Sequence, residues 1–137
     1  MKTVFNAFVH PWLCDVMNHL TTRHYMAIFD DASMQFYTRA TGWDMNSPDW
    51  HMTGWADVFH EINYLSEVNV GTAIHIDVAI TAMGRSSVST EYNMITTVTN
   101  TLAATMKAKT VFFDLEKRAS RPLSDEMCSK LEQFSDA

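Results

Sequence analysis

The chain has 137 residues, a length that suits one domain with a real core, residues 1–137. Apolar residues make up 47% and charged residues 19%, which excludes a disordered chain. The formal net charge of −6 disfavours nucleic acid or an anionic membrane as a main partner, and any anionic ligand then needs a local basic patch. No apolar run is long enough to span a bilayer, and no signal-peptide pattern precedes Val4, so a cytoplasmic protein without a membrane partner is expected. Cys14 and Cys128 lie far apart and are read as two reduced thiols.

In chain order, Thr3 to His10 is a β-rich run that Pro11 ends. A short polar loop follows, holding Asp15 and His19. Thr21 or Thr22 then reads as the cap of a helix running from Thr22 to Thr41, with Gly42 past its end. Tyr25, Phe29, Ala32, Phe36 and Ala40 recur at helical spacing, so one face is buried. Free N–H groups and the positive end of the helix dipole point into the space shared with Asp15 and His19, which suits a carbonyl that becomes an oxyanion.

Trp43 to Gly54 is a loop rich in large apolar side chains. It either covers the end of the core or lines a ligand pocket, and the first reading is slightly favoured. From Trp55 the period becomes two. Val58, His60, Ile62 and Tyr64 share one strand face, and Glu61 points the other way from His60, so these two cannot act as a pair. His60 either borders a pocket or is a solvated strand position. Ile74, Ile76, Val78 and Ile80 alternate with His75 and Asp77. Gly84 and Arg85 mark a hairpin, Val88, Tyr92, Met94 and Val98 form the next apolar face, and Asn100 and Thr101 turn into a last strand ending Val111-Phe112-Phe113. Glu116 to Arg121 is charged. Leu123, Met127, Leu131 and Phe134 then have helical spacing behind Ser124. Composition and periodicity thus predict an α+β fold, an antiparallel sheet of about five strands with one core helix. The open sheet edges predict oligomerisation.

The stretch from Asp15 to Ala32 resembles the hotdog-fold acyl-CoA thioesterases of the 4-hydroxybenzoyl-CoA thioesterase-like group. Their pattern is Asp, two residues, Gly-His-Val-Asn-Asn, two residues, Tyr, then Phe and Ala one and two turns into the helix. Asp15, His19, Tyr25, Phe29 and Ala32 match it, and Leu20 is close to the usual Val. Asn18 replaces the Gly, and Thr21 and Thr22 replace the Asn pair. Asn is the residue after Gly that best tolerates a left-handed backbone. The resemblance implies a sheet curled around the helix and hydrolysis of an acyl-CoA to a free acid and coenzyme A, with no metal or organic cofactor. It implies Asp15 as the carboxylate that attacks or activates water, His19 as an orienting group and the Thr22 N–H as an oxyanion donor. Asn18, Tyr25, Trp43, Trp55 and His60 are the expected substrate contacts, and Arg118 and Arg121, beside Lys117, could hold coenzyme A phosphates. Thioesterases of carnitine and betaine metabolism carry a similar loop. That resemblance and the Trp residues hint at an apolar or cationic acyl group. His10, His19, His24 and Asp15 fit no zinc spacing. A homodimer or tetramer is expected. Two other readings stay open: a non-catalytic hotdog module that binds an acyl thioester or a partner protein, and a hotdog hydratase, although the Asn-Pro of hydratases is missing here.

Overall fold

A computed structural model describes residues 1–135. Strand β1 (Lys2–Phe8) leads through a 3-10 turn at Pro11–Leu13 to the long helix α1 (Thr22–Thr41). Strands β2 (Thr53–Tyr64), β3 (Ala73–Met83), β4 (Ser87–Thr96) and β5 (Thr101–Asp114) follow, then the two-residue strand β6 (Ala119–Ser120) and the helix α2 (Asp125–Glu132). The main path of the sheet runs β1-β3-β4-β5-β2, and every pairing between strands is antiparallel.

Helix α1 ends where a residue without a side chain permits it. Gly42 has φ 74° and donates its N–H to the Thr38 carbonyl at 2.9 Å, a left-handed cap that strains other residues. At the other end Thr21 is the N-cap in backbone conformation. Its hydroxyl makes no capping hydrogen bond among the described residues. The His24 and Tyr25 N–H groups donate to the Thr21 carbonyl at 2.9 and 3.4 Å, which leaves those of Thr22 and Arg23 open among the described residues. Ser124 does cap α2, its hydroxyl oxygen accepting the Met127 N–H at 3.1 Å. Ser124→Ala is expected to cost about 1 kcal/mol, read as a lower thermal midpoint with unchanged secondary structure.

The α1 stripe and the inner faces of the strands form one core. Phe29, Ala32 and Phe36 are buried with Ile74, Ile76, Val78 and Ile80 of β3, as the alternation predicts. Tyr92 of β4 meets the rings of Phe29 and Phe36 at 6.5 and 6.4 Å between centroids. His75 and Asp77 take the outer side, where His75 contacts the Thr97 hydroxyl at 2.9 Å and Asp77 accepts from the Thr3 hydroxyl at 2.5 Å. The hydroxyls of Tyr37, Thr90 and Tyr92 are buried in the core, with Ser33 and Thr90 beside that of Tyr92. Burial pushes the Tyr92 hydroxyl up to about 12.

One local expectation is corrected. Val98 does not continue the apolar face of β4; it is 91% exposed in the turn after Thr96. Thr96, Thr99 and Thr101 hydroxyls bond one another there at 2.7 and 2.9 Å, and Asn100 takes φ 54°, so the chain reverses early. The charged stretch after β5 also contains β6, a sixth strand. Asp114 accepts the N–H groups of Glu116 and Lys117 at 3.0 and 2.8 Å, and those bonds, that of Lys117 first, hold its carboxyl below the usual range. The turn they close returns the chain to pair with Phe113 and Asp114, beyond Val111, the last β5 residue that β4 reaches.

Candidate active site

The Asp15 loop is a small hairpin. The Asp15 N–H donates to the His19 carbonyl at 2.9 Å, and the Asn18 N–H donates to the Asp15 carbonyl at 3.0 Å. One carboxylate oxygen of Asp15 accepts the backbone N–H of Met17 at 2.8 Å and that of His19 at 3.3 Å, an Asx turn that holds the side chain against its own loop. Asn18 sits at φ 59°, the left-handed region that the missing Gly would have served and that Asn tolerates.

This hairpin is docked on the connector between β2 and β3. The Leu20 N–H donates to Val68 at 2.8 Å, the Val70 N–H to Asn18 at 2.9 Å, and His19 pairs with Asn69 as an isolated antiparallel bridge. The connector thereby places Glu67 against the loop, with its carboxylate 2.5 Å from Nε2 of His19. Beside this pair lies a cleft of about 330 Å³ lined by Leu20, Thr22, Tyr25, Tyr64, Leu65, Ser66 and Glu67. Tyr25 and Tyr64 meet edge to face there at 5.0 Å. The Tyr25 hydroxyl is pushed up by its burial first, then by Tyr64; the Val68 backbone pulls the other way, while Glu67 and Asp15 add to the rise. The phenol therefore stays neutral, able to donate a hydrogen bond.

Of the residues expected at a site, Thr22 and Tyr25 line this cleft. His19 touches its wall through Glu67, and Asp15 is near enough to act on Tyr25. Asn18 lies in the same loop, its carbonyl accepting the Val70 N–H, and the other five lie elsewhere in the chain. Trp55 stacks on Tyr37 at 4.2 Å and packs on Phe112 at 4.9 Å. Trp43 packs on Trp50 at 4.4 Å, and its indole N–H donates to the Thr53 hydroxyl at 3.0 Å, so this loop covers the end of the core. His60 lies at the seam of β2 with α1, 3.7 Å from Asp57 and acting on Asp30. Arg118 lies over the Phe113 ring at 5.3 Å, and Arg121 pairs with Asp49 at 3.5 Å. The sequence reading missed Glu67 and Ser66, which no motif or spacing marks.

Among the described residues, no group of three or more His, Cys, Asp and Glu side chains is placed to hold a metal ion, and neither cysteine is in a disulfide. No helix among them is long and apolar enough to cross a membrane.

A curled antiparallel sheet around one long helix, with an Asp-His loop at that helix's N-terminus, is the hotdog class. The family model of the thioesterase-like superfamily matches residues 9–131, and the chain belongs to that superfamily. Comparison with curated protein sequences yields no match. Among solved structures, SAV2348 of Staphylococcus aureus, determined in complex with CoA, superposes with a TM-score of 0.87 at 15% identity, covering 99% of this chain and 87% of that one. PA5185 of Pseudomonas aeruginosa gives 0.85 at 17% identity over 96% and 90% of the two chains. Slr0204, a 1,4-dihydroxy-2-naphthoyl-CoA thioesterase from Synechocystis, gives 0.81 at 13% identity over 97% of each. At these identities the likeness is one of fold.

Proposed function

We propose that the protein is an acyl-CoA thioesterase that releases a free carboxylic acid and coenzyme A. The observation that carries this reading is the cleft at the open N-terminus of α1, flanked by the Asp15 loop, in a chain of the thioesterase-like superfamily. The acyl carbonyl lies with its oxygen toward the first-turn N–H groups, that of Thr22 foremost, which stabilise the charge as the carbon becomes tetrahedral. Asp15 either attacks that carbon, expelling the coenzyme A thiolate and leaving a mixed anhydride that water then hydrolyses to the free acid, or takes a proton from a water whose oxygen adds to the carbon, and the departing thiolate takes that proton as the C–S bond breaks. His19 orients the loop. The CoA complex of the Staphylococcus aureus relative supports a ligand of this type. No metal or organic cofactor has a part in this reading. A coenzyme A ester as substrate and two thiols outside any disulfide support a cytoplasmic setting. A thiol-release assay over a panel of acyl-CoA esters tests it: turnover of at least one ester is expected. Binding without release on every ester would instead select a non-catalytic module.

The site is proposed to be completed by a second copy. β2 forms an outer edge of the sheet and exposes Val58, Phe59 and Tyr64. Its Tyr64 end borders the cleft, while Trp43, Trp55, Arg118 and Arg121 gather at its Thr53 end, which pairs with Asp114. These ends are separated by about 35 Å of strand, too far for one protomer to present both to one thioester. Antiparallel pairing of β2 with its two-fold copy brings the partner's Thr53 end beside each cleft, where the arginines can reach the phosphates of coenzyme A. Light scattering is expected to give a dimer, or a tetramer built from dimers. A monomer at micromolar concentration would remove both the interface and the shared site.

A further inference from the structure

Glu67 lines the cleft and has no place in the motif. Its segment reaches the Asp15 loop only because residues 68–70 pair with residues 18–20. His19 is the link between the two. Its backbone N–H donates to the Asp15 carboxylate at 3.3 Å, its carbonyl accepts from the Asp15 N–H at 2.9 Å, and its ring meets Glu67 at 2.5 Å. Among the described residues Glu67 has no other ion pair.

Resting on the thioesterase reading, we propose that Glu67 is a positioning residue: its carboxylate accepts the Nε2–H of His19, fixes the ring in that tautomer, and so sets the orientation of the imidazole beside Asp15. A neutral imidazole carries one N–H, and an acceptor on Nε2–H leaves Nδ1 as the free acceptor of the ring. The pair is partly solvated, with His19 at 29% and Glu67 at 67% side-chain exposure, so it adds little to global stability. Its role is local. The backbone bonds of residues 18–20 with residues 68–70 already dock the loop, so what Glu67 adds is the placement of the His19 ring, and a misplacement of about 1 Å can cost roughly 10²-fold in rate.

The test uses the full chain with Glu67→Ala and Glu67→Gln, measured for kcat and KM on the best acyl-CoA ester, for thermal midpoint, and for the His19 ring nitrogens by 15N NMR where the imidazole is neutral. Glu67→Ala is expected to lower kcat about 10- to 100-fold with KM and the melt little changed. The ring is expected to pass from the Nε2–H tautomer to a mixture. Glu67→Gln keeps an acceptor oxygen and is expected to recover most of the loss. Wild-type turnover in Glu67→Ala overturns the proposal, as does a melt that falls with the rate, which would make Glu67 a structural residue. Glu67→Gln as slow as Glu67→Ala also overturns it, because charge and not the hydrogen bond would then be what matters. If the wild type releases thiol from no ester, the thioesterase reading fails by itself. The ring signals still decide Glu67, since an unchanged His19 tautomer in Glu67→Ala would show that the pair sets nothing.

Discussion

Asp15→Asn is expected to lower kcat on the best acyl-CoA ester by about 10²–10⁴-fold, the range for loss of a general base, while KM and fold stability change little. The local geometry makes this substitution a clean one. Asp15 uses one oxygen to accept the Met17 and His19 N–H groups, and an Asn amide oxygen accepts the same two bonds. The hairpin therefore survives, and the loss falls on the charge and basicity of the carboxylate. Steady-state kinetics with a melting curve separates the two effects. His19→Ala is expected to cost less, because that ring is assigned to orientation. If Asp15→Asn hydrolyses its best substrate at close to the wild-type rate, Asp15 is a turn residue and the reacting group must be sought along the rest of the cleft.

Phe29→Ala is expected to destabilise the protein by about 3–5 kcal/mol. Phe29 is 0% exposed and lies on the buried face of α1 against Tyr92. Truncation removes the ring's transfer free energy and leaves a cavity between helix and sheet that neighbours such as Tyr92 and Ile76, also fully buried, cannot collapse to fill. A denaturant titration reads the effect as a lower midpoint at unchanged slope. An unchanged midpoint would remove Phe29 from the core. Because α1 also carries the open N-terminus of the candidate site, losing this anchor is expected to reduce activity at temperatures near the new midpoint.

Much of the fold was legible in the chain because each element carries its own periodic signal. Helix α1 runs from Thr22 to Thr41 as the apolar spacing and Gly42 imply, since one stripe must be buried and only Gly takes the left-handed cap easily. The alternation from Ile74 to Ile80 set which face of β3 is inside, because a slip of one residue would have buried His75 and Asp77. Strand β6 was not legible. Two residues are too few to show a period, and their pairing exists only because β4 stops short of the end of β5.

For the site, the chain by itself determined the loop: Asp15 and His19 at their spacing, Asn18 where a left-handed residue is needed, and a helix starting at Thr22. Tertiary structure alone decided what faces that loop. Glu67 is separated from His19 by α1 and β2, and nothing local marks it. It meets His19 because the connector after β2, once Leu65 and Ser66 have donated their N–H groups to Ala103 of β5, forms its next backbone hydrogen bonds with the hairpin through Val68 and Val70. The same holds for Trp43, Trp55, Arg118 and Arg121, which lie at the far end of β2 from the cleft. Local periodicity encodes the face a residue takes within its own element, whereas which distant segments meet is set by the order and register of the strands, and these depend on the whole chain at once.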